Sequence, residues 1–326
     1  MRILMVVMAV FAIVMFSGCG GADSASRPAA PESHQTEDTS APVVFMTRNI
    51  TPEGLNAIYD ALKWTPTGKV AVKVSTGEPP ASNYLRPELI GSLVQRLNGT
   101  IVECNTAYGG SRASAAMHRQ VAEDHGFTKI AEVDIMDADG DIEIPVTGGT
   151  VLKANRVGKN FSNYGSFLIL SHFKGHAMAG FGGAVKNVSI GIGSRAGKSR
   201  IHSGGKSDTN PWGGAQLPFC EAMAEACKSV SDALGNGERI IYINVMNRLS
   251  IDCDCDGHPA EPDIHDIGIL GSNDPVALDQ ACVDLIYKAE GNESFVRRME
   301  SKQAVHTLEH GEAIGLGQRT YRLQEI

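Results

Sequence analysis

The chain has 326 residues, 42% of them apolar, and a formal net charge of −8. That length accommodates one large α/β domain or two smaller ones. The acidic balance excludes a general nucleic-acid binder, which would carry a basic footprint.

The N-terminus, "MRILMVVMAVFAIVMFSGC", places Arg2 before an apolar run that ends in small residues at Cys19. The run is too short for a comfortable membrane span and reads as a secretory signal over residues 1–18. Phe-Ser-Gly-Cys resembles the lipobox of bacterial lipoproteins, which implies cleavage before Cys19 and lipidation of its sulfur. Residues 19–42 are small, polar and Pro-containing, so they cannot bury a core and form a flexible tether. The expectation is an exported protein, lipid-anchored to the bacterial cell membrane, with its folded domain over residues 43–326.

Beyond the tether, "VVFMT" is a short apolar run. "TPEGLNAIYDAL" follows with helical spacing, Thr51 as N-cap and Pro52 at the first helical position. "KVAVKVS" (69–75) alternates as a strand, and "RPELIGSLVQRLNG" is a helix ending at a glycine. "TIVECNT" is a further strand, "SRASAAMHRQVAEDHG" a helix, and "KIAEVDIMDADG" with "DIEIPV" adds β-structure. "SFLILS" (166–171) is continuously apolar, as buried parallel strands are. A helix near 216–234, the strand "RIIYINV" (239–245) and helices near 275–289, 293–300 and 302–311 complete the pattern, with "YRLQE" as an edge strand. Alternating strands and helices predict an α/β fold with a mostly parallel sheet, with room for two subdomains divided near residue 160.

Six cysteines lie beyond Cys19. Cys220 and Cys227 stand two turns apart on one predicted helix, about 10 Å at a rise of about 1.5 Å per residue, which is beyond disulfide reach. Cys104 and Cys282 sit in apolar contexts that suit buried thiols. Mostly free thiols are expected.

Two segments have the placement of ligand sites, after strands and before helices. In "ECNTAYGGSR" (103–112), Asn105 and Arg112 can meet an anion at a helix N-terminus, or the segment is a plain cap and turn. In "SHFKGHAMAGFGGAVKNVSIGIGSRAGK" (171–198), seven glycines accompany two histidines and three lysines. His172, Lys174 and His176 alternate and so share one face if the strand continues, and "GFGGA" can return Lys186 and Asn187 toward them. These four, His172, Lys174, His176 and Lys186, are the candidate catalytic groups, suited to proton transfer beside a carbonyl or carboxylate or to clamping an anion; the alternative is structural, with glycines for tight turns and solvated lysines. Arg195, Lys198 and His202 join Asn105, Arg112 and Asn187 as candidate ligand contacts. "GSRAGKS" lacks one spacer residue of a phosphate loop. A third cluster, "DCDCDGH" (252–258), would hold a cation to relieve its own repulsion. Cys253, Cys255, Asp254, Asp256 and His258 are its candidate ligands, with Zn or Fe favoured by thiolate softness. A solvated acidic turn is the alternative. In "SNDPVALDQACVDLIY", Asn273 or Asp274 caps a helix that begins at Pro275.

The motifs "ECNTAYGGSR", "DIMDADG", "HFKGHAMAGFGGAVKN", "GSRAGK", "CDCD" and "DIGILGSNDPVALDQACVDLI" occur in this order in domain-of-unknown-function family 362, which the chain resembles over roughly residues 43–326. Many members carry a ferredoxin-like insert with two four-cysteine cluster motifs. Here "SGGKSDTNPWGGAQLPFCEAMAEAC" follows His202 with no C-x-x-C-x-x-C run, so the iron–sulfur role does not carry over. His176, Gly180, Gly182, Gly183 and Lys186 are also similar in spacing to a segment of the nickel-pincer lactate racemase family. That resemblance implies a proton-transfer histidine and a cofactor-bearing lysine, although Gly182 stands where those enzymes commonly have serine. The combined expectation is a membrane-anchored α/β lipoprotein with a His/Lys site for a small anion or carboxylate and a metal site, acting in proton transfer or redox chemistry. The alternative is a lipoprotein that binds a metal complex or small anion without chemistry.

Overall fold

In the computed structural model, which describes residues 33–326, twelve strands and nine α-helices follow one another in nearly the predicted order. They are β1 (Val43–Thr47), α1 (Pro52–Ala61), β2 (Val70–Lys73), α2 (Pro87–Arg96), β3 (Thr100–Glu103), α3 (Ala115–Asp124), β4 (Val133–Ile135), β5 (Asp141–Pro145) and β6 (Ala154–Gly158). Then come β7 (Ser166–His172), β8 (Lys174–His176), β9 (Gly180–Gly182), α4 (Ala184–Ile192), α5 (Arg195–His202), α6 (Gln216–Ala233), β10 (Ile240–Met246), β11 (Gly268–Ser272), α7 (Pro275–Lys288), α8 (Glu293–Ser301), α9 (His306–Ala313) and β12 (Arg322–Glu325). The proposed signal segment and Cys19 lie outside the described residues. No described helix is long and apolar enough to cross a membrane.

Eight strands form the central sheet in the order β12-β1-β11-β10-β7-β2-β3-β4. β11 is antiparallel to both its neighbours, and every other adjacent pair is parallel. Alternation along the strands divides the core in two. Phe167, Ile169, Ile240 and Tyr242 face α4, α6 and α7, while Leu168, Leu170, Ile241 and Ile243 face α1 and α2. Burial on both faces explains why "SFLIL" is apolar throughout. The subdomain division near residue 160 does not appear: the described residues form one compact unit, because β6 and β7 flank that point and both join the larger core.

Local capping follows the sequence. Thr51 accepts the Gly54 N–H at α1, and Asp274 accepts the Val276 and Ala277 N–H groups at α7. Cys104, Cys220, Cys227 and Cys282 are free and buried, as expected, but Cys253 and Cys255 form a disulfide.

The strand order has a switch point between β2 and β7. The chain proceeds outward from β2 through β3 and β4, and in the other direction from β7 to β10. Loops leaving neighbouring C-terminal strand ends diverge there and open a crevice. The N-terminus of α4 is fixed beside it by Asp279 of α7, a buried carboxylate that accepts the N–H groups of Ala184 (2.8 Å) and Val185 (3.0 Å) and the amide of Asn244 (2.7 Å). A Cβ on Gly183 would stand 2.3 Å from that carboxylate, so only glycine admits it. Asp279→Ala leaves three buried donors unmet and is expected to cost about 3 kcal/mol, read as a lowered urea midpoint with an unchanged m-value.

Candidate functional site

A cavity of about 320 Å³ opens at the switch point, over the ends of β2 and β3 and against β8 and α4. Its volume is at the small end for ligand pockets. Five cationic side chains line it, Lys73, Arg112, Lys174, Lys186 and Lys198, with only two carboxylates, Glu103 and Asp254. Trp212 both lines the cavity and is 57% exposed, which places it at the opening.

The carboxylates are already engaged. Glu103 meets the Lys73 ammonium at 2.8 Å and Arg112 at 3.7 Å, and accepts the Thr76 N–H at 3.0 Å. Burial alone would raise its pKa, but Lys73, His118 and Arg112 hold it down at about 2. Arg112 also pairs with Glu78 at 3.0 Å. Asp254 accepts from Lys174 at 2.9 Å and from His172 Nδ1 at 2.7 Å. Those two groups outweigh its burial and keep it ionised.

His172 is therefore not a cavity base. Its Nε2 lies 2.6 Å from the Asn247 carbonyl, so both ring nitrogens are committed and the ring positions Asp254. The expected common face of His172, Lys174 and His176 breaks at Phe173, where β7 ends and β8 begins.

His176 and His202 both line the cavity, and their hydrogen bonds fix opposite roles. His176 Nδ1 accepts the backbone N–H groups of Met178 (3.1 Å) and Ala179 (2.9 Å). Burial, then Lys186, His202, Lys174 and Arg298, push its pKa well below the usual value, so the ring is neutral and its proton resides on Nε2. His176 thus carries its N–H on the nitrogen left free by those two backbone contacts. His202 is the reverse. Its Nδ1 donates to the Lys198 carbonyl at 2.8 Å, while its ring stacks on Phe219. Burial, with Lys186 and Lys198 nearby, lowers it to about 4 despite the carbonyl contact, leaving an unprotonated Nε2 at neutral pH.

Lys186 differs from the other cations. Lys73 donates to Glu103, Asn187 and the Val74 carbonyl, and Lys198 donates to the carbonyls of Cys104 (3.2 Å) and Gly193 (2.7 Å). The Lys186 amine has no hydrogen bond or ion pair among the described residues. Burial, then the charge of Lys174, with lesser effects from Lys73 and Arg112, outweighs the pull of Asp254 and lowers it to about 7. A Cβ on Gly191 would come within 2.6 Å of Lys73 Nζ, so this glycine admits the buried ammonium.

Other predicted contacts divide. Asn187 lines the cavity and bridges Lys73 to Ser171. Asn105 instead turns to Asp137, and Arg195 is exposed and donates to the Ala113 carbonyl. In the acidic cluster, one ring nitrogen of His176 and the sulfurs of Cys253 and Cys255 lie within 4.8 Å of one another, a grouping of metal-ligand type. Asp256 and His258 are exposed and outside it, and Asp254 faces Lys174 and His172. The expected thiolates are joined as a disulfide, and His176 has its Nδ1 lone pair engaged and its Nε2 protonated. The grouping thus suits Zn or Fe only after reduction and a change of imidazole tautomer. Lys73 and Glu103 were missed as site residues. The signal was a charge at the inner end of an otherwise buried strand in "KVAVK" and "TIVE".

The chain is thus an α/β protein with a cation-lined cavity at the switch point of its sheet. The chain belongs to the domain of unknown function family DUF362, whose model matches residues 70–284. Among solved structures it is similar to the lactate racemase apoprotein from Thermoanaerobacterium thermosaccharolyticum, with 13% identity over 74% of this chain and 56% of that one, at a TM-score of 0.43. It is also similar to a Thermotoga maritima protein, with 11% identity over 80% and 58% of the two chains, at a TM-score of 0.38. The chain thus spans somewhat over half the length of each. Comparison with curated proteins gives no match.

With a pKa near 7, Lys186 is about half neutral at pH 7 while an ordinary lysine is charged. Brief reductive methylation at pH 7 is expected to label Lys186 ahead of exposed lysines, with the rate rising through pH 7, as peptide mapping reads. The shift also affects stability. The unfolded chain binds more protons than the folded one between pH 7 and pH 10.5, so Lys186 destabilises most below pH 7. Lys186→Met is expected to raise Tm, with a larger rise at pH 6 than at pH 10.

Proposed function

We propose that the cavity binds a small organic carboxylate and moves a proton at the carbon beside it. The observation that carries this reading is the unpartnered Lys186 amine among cations that outnumber the local carboxylates. A bound carboxylate would supply the missing counter-charge, and its presence would favour the protonated amine. His202 Nε2 is the acceptor for the proton, and His176 Nε2–H donates to the oxygen on which charge develops. Capture of a small anion without chemistry is the second reading, supported by the same excess of cations. A tether to the bacterial membrane through lipid on Cys19 completes the proposal. Cys19→Ser is expected to release the exported chain from membranes, and an unlipidated mature N-terminus in the membrane-bound parent protein would reject the anchor.

Trp212 supplies the test. The chain has two tryptophans, and Trp64 lies outside the cavity, so Trp64→Phe leaves one reporter at the opening. Oxalate is expected to change its fluorescence while neutral oxamide does not. Affinity should fall above pH 7 as Lys186 loses its charge. Lys186→Ala should weaken oxalate binding by about tenfold or more, the equivalent of about 1.4 kcal/mol. For turnover, a panel of 2-hydroxy and 2-amino acids is incubated in deuterium oxide and exchange at the 2-carbon is followed by NMR. His202→Gln is expected to abolish exchange while oxalate binding stays within a few-fold. Binding without exchange would leave the non-catalytic reading, and no response to oxalate would reject both.

A further inference from the structure

The Cys253–Cys255 disulfide lies in the wall of this same cavity and has no part in the proton transfer above. Its two cysteines are separated by only 2 in sequence. A bridge stabilises a fold chiefly by closing a long loop in the unfolded chain, so one this short contributes little in that way. The segment is already held without it. Asp254 is anchored through its side chain to Lys174 and His172, and its carbonyl accepts the Glu78 N–H at 2.7 Å. The loop that presents the sulfur pair is thus held by contacts other than the bond itself.

The two sulfurs are not equivalent. Cys253 is buried, whereas Cys255 is partly exposed onto the cavity. The Cys255 backbone N–H donates to Cys253 Sγ at 3.3 Å, a contact that strengthens when that sulfur carries charge. Lys174 and Lys186 line the cavity together with Cys253 and Cys255. Cys104 also lines the cavity but is no competitor. Burial pushes its thiol far above the usual range, and its sulfur contacts the Ile192 carbonyl.

We propose that Cys253–Cys255 is a redox-active couple that accepts two electrons from a small thiol bearing an anionic group. The couple follows from the placement of the disulfide; the preference for an anionic thiol rests on the anion reading of the cavity. A first thiolate attacks Cys255 Sγ, forming a mixed disulfide there. The Cys253–Cys255 bond breaks and its electron pair passes to Cys253, which leaves as a thiolate. A second thiolate then attacks the external sulfur of the mixed disulfide and releases Cys255 as a thiolate. Two external thiolates become one disulfide, and the protein disulfide becomes two thiolates. Oxidation of the pair by an external disulfide is the same sequence reversed.

The folded chain is exposed to 2-mercaptoethanesulfonate or to neutral 2-mercaptoethanol at equal thiolate concentration, quenched with iodoacetamide and mapped by mass spectrometry. The expected result is a mixed disulfide on Cys255, followed by two alkylated sites, Cys253 and Cys255, with the other described cysteines unlabelled. The sulfonate thiol should react about tenfold faster or more, as charge-steered entry implies, and added oxalate should slow it. Reduction only after urea unfolding would overturn the couple, and an adduct on Cys253 would overturn the assignment of Cys255 as the sulfur attacked. Equal rates for the two thiols would overturn the anionic class while the couple stands. The oxalate response of Trp212, which involves no thiol, distinguishes failure of the anion site from failure of the couple. Cys253→Ala supplies a second measurement: its Cys255 thiol should be alkylated in the folded state, and resistance there would also count against the couple.

Discussion

Two buried carboxylates set the electrostatics of the whole site. Glu103, at the end of β3, neutralises Lys73 across the neighbouring strand, and Asp254 neutralises Lys174 from the far loop. Each pair is costly to bury and depends on further hydrogen bonds to be tolerated. Thr76 supplies one at Glu103, beside an ion pair with Arg112, and His172 supplies one at Asp254. Both acids are engaged by other cations, and at Lys186 burial, then the charge of Lys174, outweighs the pull of Asp254 and depresses the pKa. The reactivity assigned to the cavity thus originates in a buried amine among cations within an acidic protein.

The same arrangement fixes geometry. Lys73 and Glu103 stand on adjacent parallel strands, and Asn187 of α4 reaches across to Lys73 and Ser171. Asp279 holds the first turn of α4 from behind, through contacts that leave no room for a side chain on Gly183. Lys186 therefore extends from a helix secured by polar contacts to the sheet and to α7. Fixed charges of this kind act without reorganisation when a ligand arrives. Two glycines of the segment, Gly183 and Gly191, are required by close approach of protein groups.

Much of the fold was legible because its determinants are local. Thr51 with Pro52 and Asp274 with Pro275 mark helix starts that depend on nearby backbone donors alone. The unbroken apolar run of β7 identified a strand covered on both faces. The site was only partly legible. Lys186, Asn187, Lys198 and His202 do meet in one cavity, together with Lys174, Arg112 and the C-x-C loop. His172, Asn105 and Arg195 do not line it, because each is taken up by a partner distant in sequence.

By itself, the sequence determined the α/β alternation, the capped starts of α1 and α7 and the concentration of His, Lys and Cys in two short segments. Periodicity and capping act over a few residues, so neighbouring residue types suffice to encode them. Tertiary structure alone decided which charges cancel, which imidazole nitrogen carries the proton and which sulfurs join. Those outcomes depend on contacts such as His172 with Asp254, 82 residues apart, and on burial that raises the cost of every unpaired charge. His176 and His202 make the distinction concrete: the same side chain becomes a donor in one place and an acceptor in the other, according to whether backbone N–H groups or a backbone carbonyl face its Nδ1.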